Sequence, residues 1–110
     1  MTLESELTAT PGDGNVEFEL TVRNPGDDPV DVTFRSGLKA DFAVLEDDQE
    51  IWRASDGRMF TQALQSETFD PDSERTYSGG WADPTPGYYT VVATLEIMEE
   101  DVEARTDFSV

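Results

Sequence analysis

The residue types that most often carry chemistry are sparse in this chain, which has no histidine, no cysteine and one lysine, Lys39. Without histidine there is no Ser-His-Asp hydrolysis, no imidazole base and no ordinary zinc site. Without cysteine there is no thiolate nucleophile and no disulfide frame. Lys39 sits beside small and charged residues, and no serine stands at a spacing that marks a Ser-Lys dyad. Carboxylates are plentiful, with 25 Asp and Glu. In that number some pair always stands at a glycosidase-like separation, so abundance is no signal. Asp47-Asp48-Gln49-Glu50 and Asp70-Pro71-Asp72-Ser73-Glu74 lack the Asp-x-Asp-x-Asp-Gly spacing of a calcium loop and read as solvated turns. No Gly-rich phosphate loop follows a strand. The expectation is a protein that is not an enzyme, with no catalytic residue, no metal site and no cofactor.

What remains is contact chemistry, and it gathers between Glu50 and Leu64. Here Trp52, Phe60, Arg53 and Arg58 crowd around Ser55-Asp56-Gly57. That tripeptide reverses a chain, because Asp bonds its own backbone and Gly accepts positive φ. One reading is a core tryptophan, a turn and a crossover between sheets. The other is a preformed loop that meets a protein partner through Ser55, Asp56, Gly57, Arg58 and Met59, with Trp52 and Phe60 clamping it. Trp52 is expected to be mostly buried, among Phe18, Leu20, Phe42, Val91 and Leu95.

The rest of the chain must supply a scaffold for that stretch, and its pattern is one of strands. Val16, Phe18, Leu20 and Val22 alternate strictly with Glu17, Glu19, Thr21 and Arg23. Such alternation makes a strand with one dry and one wet face. Residues 3–9, 30–35, 41–46, 50–53, 67–69 and 75–81 read as further strands, punctuated by Pro, Gly and Asp. Tyr89, Val91, Ala93, Leu95 and Ile97 line one face of a long strand. A last strand should turn Ala104, Thr106, Phe108 and Val110 inward, with Glu99-Glu100-Asp101 solvating the link between them. No window holds helical spacing over three turns, so at most one helical turn is expected, at 62–65. Seven to nine short antiparallel strands predict an all-β, immunoglobulin-like β-sandwich, and 1–110 is read as one domain.

Net charge is −18, from 25 acids against 7 bases. Eleven aromatic residues argue against disorder, which leaves a folded acidic domain of the kind found in halophiles, where salt screens self-repulsion. Phosphate-backbone binding is disfavoured for want of clustered Lys and Arg, so no nucleic acid partner is expected. The N-terminus has no basic region or apolar run, so no signal peptide or membrane anchor is expected in this sequence. The lack of cysteine fits a reducing cytoplasm, and a cytoplasmic monomer is expected. Charges on a globule with a radius of gyration of about 13 Å repel across most of it when the Debye length is about 10 Å, and hardly at all when it is about 3 Å. The melting temperature is therefore expected to rise clearly between about 0.1 and 2 M KCl. A flat profile over that range refutes the halophile reading.

Three blocks together resemble the intracellular proteinase inhibitor (BsuPI-type) family. They are Phe18-Glu19-Leu20-Thr21-Val22-Arg23-Asn24-Pro25, then Asp41-Phe42-Ala43-Val44 with the whole stretch from Glu50 to Leu64, then Pro86-Gly87-Tyr88-Tyr89-Thr90-Val91. The central block is the specific one. The resemblance implies a β-sandwich whose best-known relative inhibits an intracellular subtilisin-type serine protease. Subtilisin-type pockets often take large apolar side chains, which favours Met59 over Arg58 as the anchor. The alternative is a non-catalytic interaction or accessory module without inhibitory activity, since one sandwich architecture hosts many functions. An exposed Arg58-Met59 tip supports the inhibitor, and a loop tucked under the sheets supports the module.

Overall fold

The computed structural model describes residues 3–110. Among them, nine strands and no helix are found: β1 (Glu4–Gly12), β2 (Asn15–Arg23), β3 (Val30–Phe34), β4 (Ala40–Glu46), β5 (Gln49–Arg53), β6 (Gln65–Phe69), β7 (Glu74–Ala82), β8 (Tyr88–Leu95) and β9 (Val102–Ser109). The strict alternation in β2 does what it predicts: Val16, Phe18, Leu20 and Val22 are fully enclosed. β2 is the middle of a three-stranded sheet ordered β1-β2-β7, and a four-stranded sheet runs β5-β4-β8-β9. The two meet through Phe18 and Phe42, whose rings stack at 5.8 Å. Phe108, Trp81 and Tyr89 extend this contact into one aromatic core.

Across the ladder from Phe18 stands Gly79. A Cβ there would lie 2.6 Å from Cδ2 of Phe42. The glycine in mid-strand thus makes room for the ring that joins the sheets.

A two-stranded ribbon of β3 and β6 closes one flank. Its other neighbour is the chain just after β8: Arg35 N–H donates to Glu96 O at 3.3 Å, and Met98 N–H to Thr33 O at 3.0 Å. Asn24, just after β2, ties the ribbon to the three-stranded sheet. Buried, it donates from Nδ2 to the carbonyls of Asp28 (2.8 Å) and Phe69 (2.9 Å), and accepts from Gly26 N–H at 3.0 Å. At the opposite end the Tyr89 hydroxyl donates to Thr85 O at 2.5 Å. A tyrosine near the start of this strand, bonded back to backbone a few residues upstream, is the corner found in many immunoglobulin-like sandwiches.

Several expectations need correction. The one-turn helix at 62–65 is absent, because Thr61 O accepts from Gly37 N–H at 3.0 Å and fastens the segment to the β3–β4 link. Trp52 is mostly buried as expected, but it packs on the margin of the core rather than within it; its ring meets Phe18 at 6.2 Å and Trp81 at 6.3 Å. It belongs to β5, an edge strand, and the tryptophan that fills the core is Trp81. Val110 is exposed rather than inward, and Val102 and Phe108 are the buried side chains of β9. The long strand stops at Leu95, where Glu96 N–H turns to Lys39 O at 2.8 Å, yet Ile97 remains buried beside Phe34. Glu99 and Glu100 do more than solvate a link. Their carboxylates accept Thr33 N–H (2.7 Å) and Leu3 N–H (2.9 Å), and the Thr33 bond holds Glu99 below the usual carboxylate range.

Candidate partner-contact loop

The site begins with a hairpin. β4 and β5 are joined by Asp47 and Asp48 alone, both at positive φ (51° and 65°). Two left-handed residues give the type I′ geometry that matches strand twist, and aspartate tolerates it better than most. After β5, Ala54 N–H still donates to Phe42 O at 2.9 Å, and there the ladder ends.

What holds the departing chain is Asp41. The residue is 4% exposed, and its carboxylate accepts four donors. Oδ1 takes Phe42 N–H at 2.9 Å and Ser55 N–H at 3.1 Å; Oδ2 takes Arg53 Nη1 at 2.8 Å and the Ser55 hydroxyl at 2.7 Å. Arg53 also bonds Glu50, from Nη2 at 2.5 Å and Nε at 3.1 Å. The bonds to Glu50 and Asp41 raise the guanidinium further above its ordinary range, so the charge on Arg53 is fixed. A buried carboxylate with this many donors is satisfied, which is the condition for burying a charge at all.

The tip follows in two turns. Asp56 N–H donates to Arg53 O and Arg58 N–H to Ser55 O, each at 3.2 Å. Gly57 stands third in the second turn with φ of 73°, the position at which a type II turn requires positive φ. Arg58 lies over the Phe60 ring, 5.5 Å from its centroid. Met59 is 98% exposed and Leu64 64%. The far end is fastened by the Gly37–Thr61 bond, so the loop is tied at both of its feet.

Electrostatics single out one residue. Arg23 pairs with Asp72, Arg35 with Glu96, Lys39 with Glu67, Arg53 with Asp41 and Glu50, Arg75 with Glu67, and Arg105 with Glu103. Among the described residues Arg58 is the one cation without a carboxylate partner, in a chain where acids outnumber bases 25 to 7. Its charge and the apolar side chain beside it both face solvent.

Of the five residues named from sequence, Asp56, Gly57, Arg58 and Met59 are exposed together on the tip. Ser55 differs: its hydroxyl is committed to Asp41, so it serves the foot of the loop. Phe60 supports the tip as a clamp, whereas Trp52 turns to the core. Sequence reasoning missed Asp41. The available signal was an aspartate opening an otherwise apolar strand run, Asp41-Phe42-Ala43-Val44. Among the described residues no three His, Cys, Asp or Glu side chains gather as a metal ion would need, and no helix is long and apolar enough to cross a membrane.

Two packed antiparallel sheets, a tyrosine corner and a hairpin-borne loop define an immunoglobulin-like β-sandwich. The CARDB domain of a Pyrococcus furiosus protein, solved in complex with di-metal ions, has this fold. It matches with a TM-score of 0.59 and 18% identity over 98% of this chain and 91% of that one. The sporulation control protein Spo0M of Bacillus subtilis matches with a TM-score of 0.48 at 18% identity, over 98% of this chain and 47% of that one. No curated protein matches at a significant level. The profile of the intracellular proteinase inhibitor family, BsuPI, matches residues 3–100, and the chain belongs to that family.

Proposed function

We propose that the domain inhibits an intracellular subtilisin-like serine protease by presenting the loop of Ser55, Asp56, Gly57, Arg58 and Met59. The observation that carries this reading is a tip with a free cation and a fully exposed thioether on a base pinned by Asp41. Preorganisation limits the entropy cost of docking, and without disulfides it must come from such packing and bonding. Met59 is the apolar anchor, and Arg58, held against Phe60, supplies register. In this reading the protein works as a cytoplasmic monomer, and its acidity suits a salt-rich interior.

The test is a titration of the purified domain against the subtilisin-type intracellular protease of its own source, at native ionic strength, followed by hydrolysis of a chromogenic peptide. Saturable inhibition is expected. A protease that keeps full activity at every concentration leaves the interaction module as the correct reading.

A further inference from the structure

We infer that Met59 is an oxidation switch: a hydroperoxide converts its thioether to the sulfoxide and thereby releases the protease, while the fold stays intact. This rests on the inhibitor reading and adds a means of regulating the same loop.

The chain contains no cysteine, so its sulfur chemistry belongs to the thioethers of Met1, Met59 and Met98. Susceptibility of such sulfurs follows exposure. Met59 is 98% exposed and Met98 55%. Met98 is also held through its own backbone, which donates to Thr33 O, and it follows the buried Ile97. Between these two described methionines, Met59 is therefore the sulfur offered first to a peroxide. In the step, a sulfur lone pair attacks one peroxide oxygen and the O–O bond breaks. That oxygen stays on sulfur and gives its proton to the departing one, which leaves as water from hydrogen peroxide or as the alcohol from an organic hydroperoxide, so sulfur loses two electrons and the peroxide gains them.

The product is polar where the thioether was apolar. In a pocket that receives an apolar anchor, the sulfoxide oxygen is stripped of water without a donor to replace it, and that is costly. The fold has no stake in the change. The loop is held by Asp41, Gly37 and the two backbone turns, and none of those bonds uses the Met59 side chain.

The experiment exposes the domain to hydrogen peroxide for graded times, removes the peroxide with catalase, and divides each sample between peptide mass mapping and inhibition of the protease. Met59 should be converted well before Met98. When Met59 is fully oxidised, inhibition should be at least about tenfold weaker with an unchanged melting temperature. Methionine sulfoxide reductase should restore it. Met59→Leu, compared with its own untreated sample, should lose no inhibition through the same treatment. Oxidation of Met98 ahead of Met59, full inhibition by the Met59 sulfoxide, or loss of inhibition by peroxide-treated Met59→Leu would each overturn the switch while sparing the inhibitor reading. An untreated protein that inhibits no protease removes the parent reading, and the switch with it.

Discussion

Replacing Asp41 with Ala is expected to destabilise the domain by about 3 kcal/mol, the low end for breaking one partner out of a buried ion pair. The low end applies because Arg53 is 37% exposed and keeps Glu50. Ser55 fares worse, since its N–H and hydroxyl both lose their acceptor. In a domain of this size that corresponds to a fall of roughly 10–15 °C in melting temperature. Asp41→Asn should fall between the two, because an amide oxygen can still accept from Phe42 and Ser55 but the charge facing Arg53 is gone. The effect should also reach function. With its inner foot released, the loop samples more conformations and each binding event must order it again. Thermal melts and amide exchange at Ser55 check this, with faster exchange expected there. A melting temperature within about 2 °C of the parent would show that Asp41 is not the pin.

The second large effect concerns affinity. Replacing Arg58 and Met59 together with Ala should weaken inhibition by at least roughly 30-fold, since losing an interface anchor costs about 2 kcal/mol or more. The melting temperature should not fall, because Met59 is 98% exposed and Arg58 has no carboxylate to leave behind. Asp27→Ala with Asp101→Ala is the control: two exposed acids on other loops, expected to change neither quantity. Inhibition that survives the double substitution moves the contact surface elsewhere, and the turn at 82–87 is then the next candidate.

How much of this could be read beforehand depended on range. The dry face of β2 and that of β8 follow from alternation within one strand, and both were legible. Val110 is not legible in this way, because burial at a strand end depends on the whole sheet. Trp52 is mostly buried as its type suggests, and its place on an edge strand keeps it from full enclosure. Asn24 reads as a strand breaker in Asn24-Pro25-Gly26, and it is one. Its buried role, however, depends on Phe69, 45 residues further on. The tip was legible as residue types. The isolation of Arg58 was not, since it emerges only when the other six cations have found their carboxylates. Asp41 lies between these cases, visible as an anomaly in an apolar run but without meaning until Ser55 comes beside it.

The order of the four-stranded sheet has a consequence for chains that are still being made. The β4–β5 hairpin and the Asp41–Ser55 bonds lie within 14 residues of one another, so they can assemble locally. The other side of β4 waits for β8, where Ala40 meets Leu95 and Leu45 meets Thr90. Pairings this distant are slow to close. Until ribosomal synthesis passes Leu95, a finished loop sits on a strand whose outer backbone groups, from Ala40 to Leu45, have nothing to bond. Open ladders of this kind recruit other chains. Fragments that end before Tyr88 should therefore be the aggregating species of this protein, and its single-lysine, acid-rich surface the feature that keeps them apart long enough to finish.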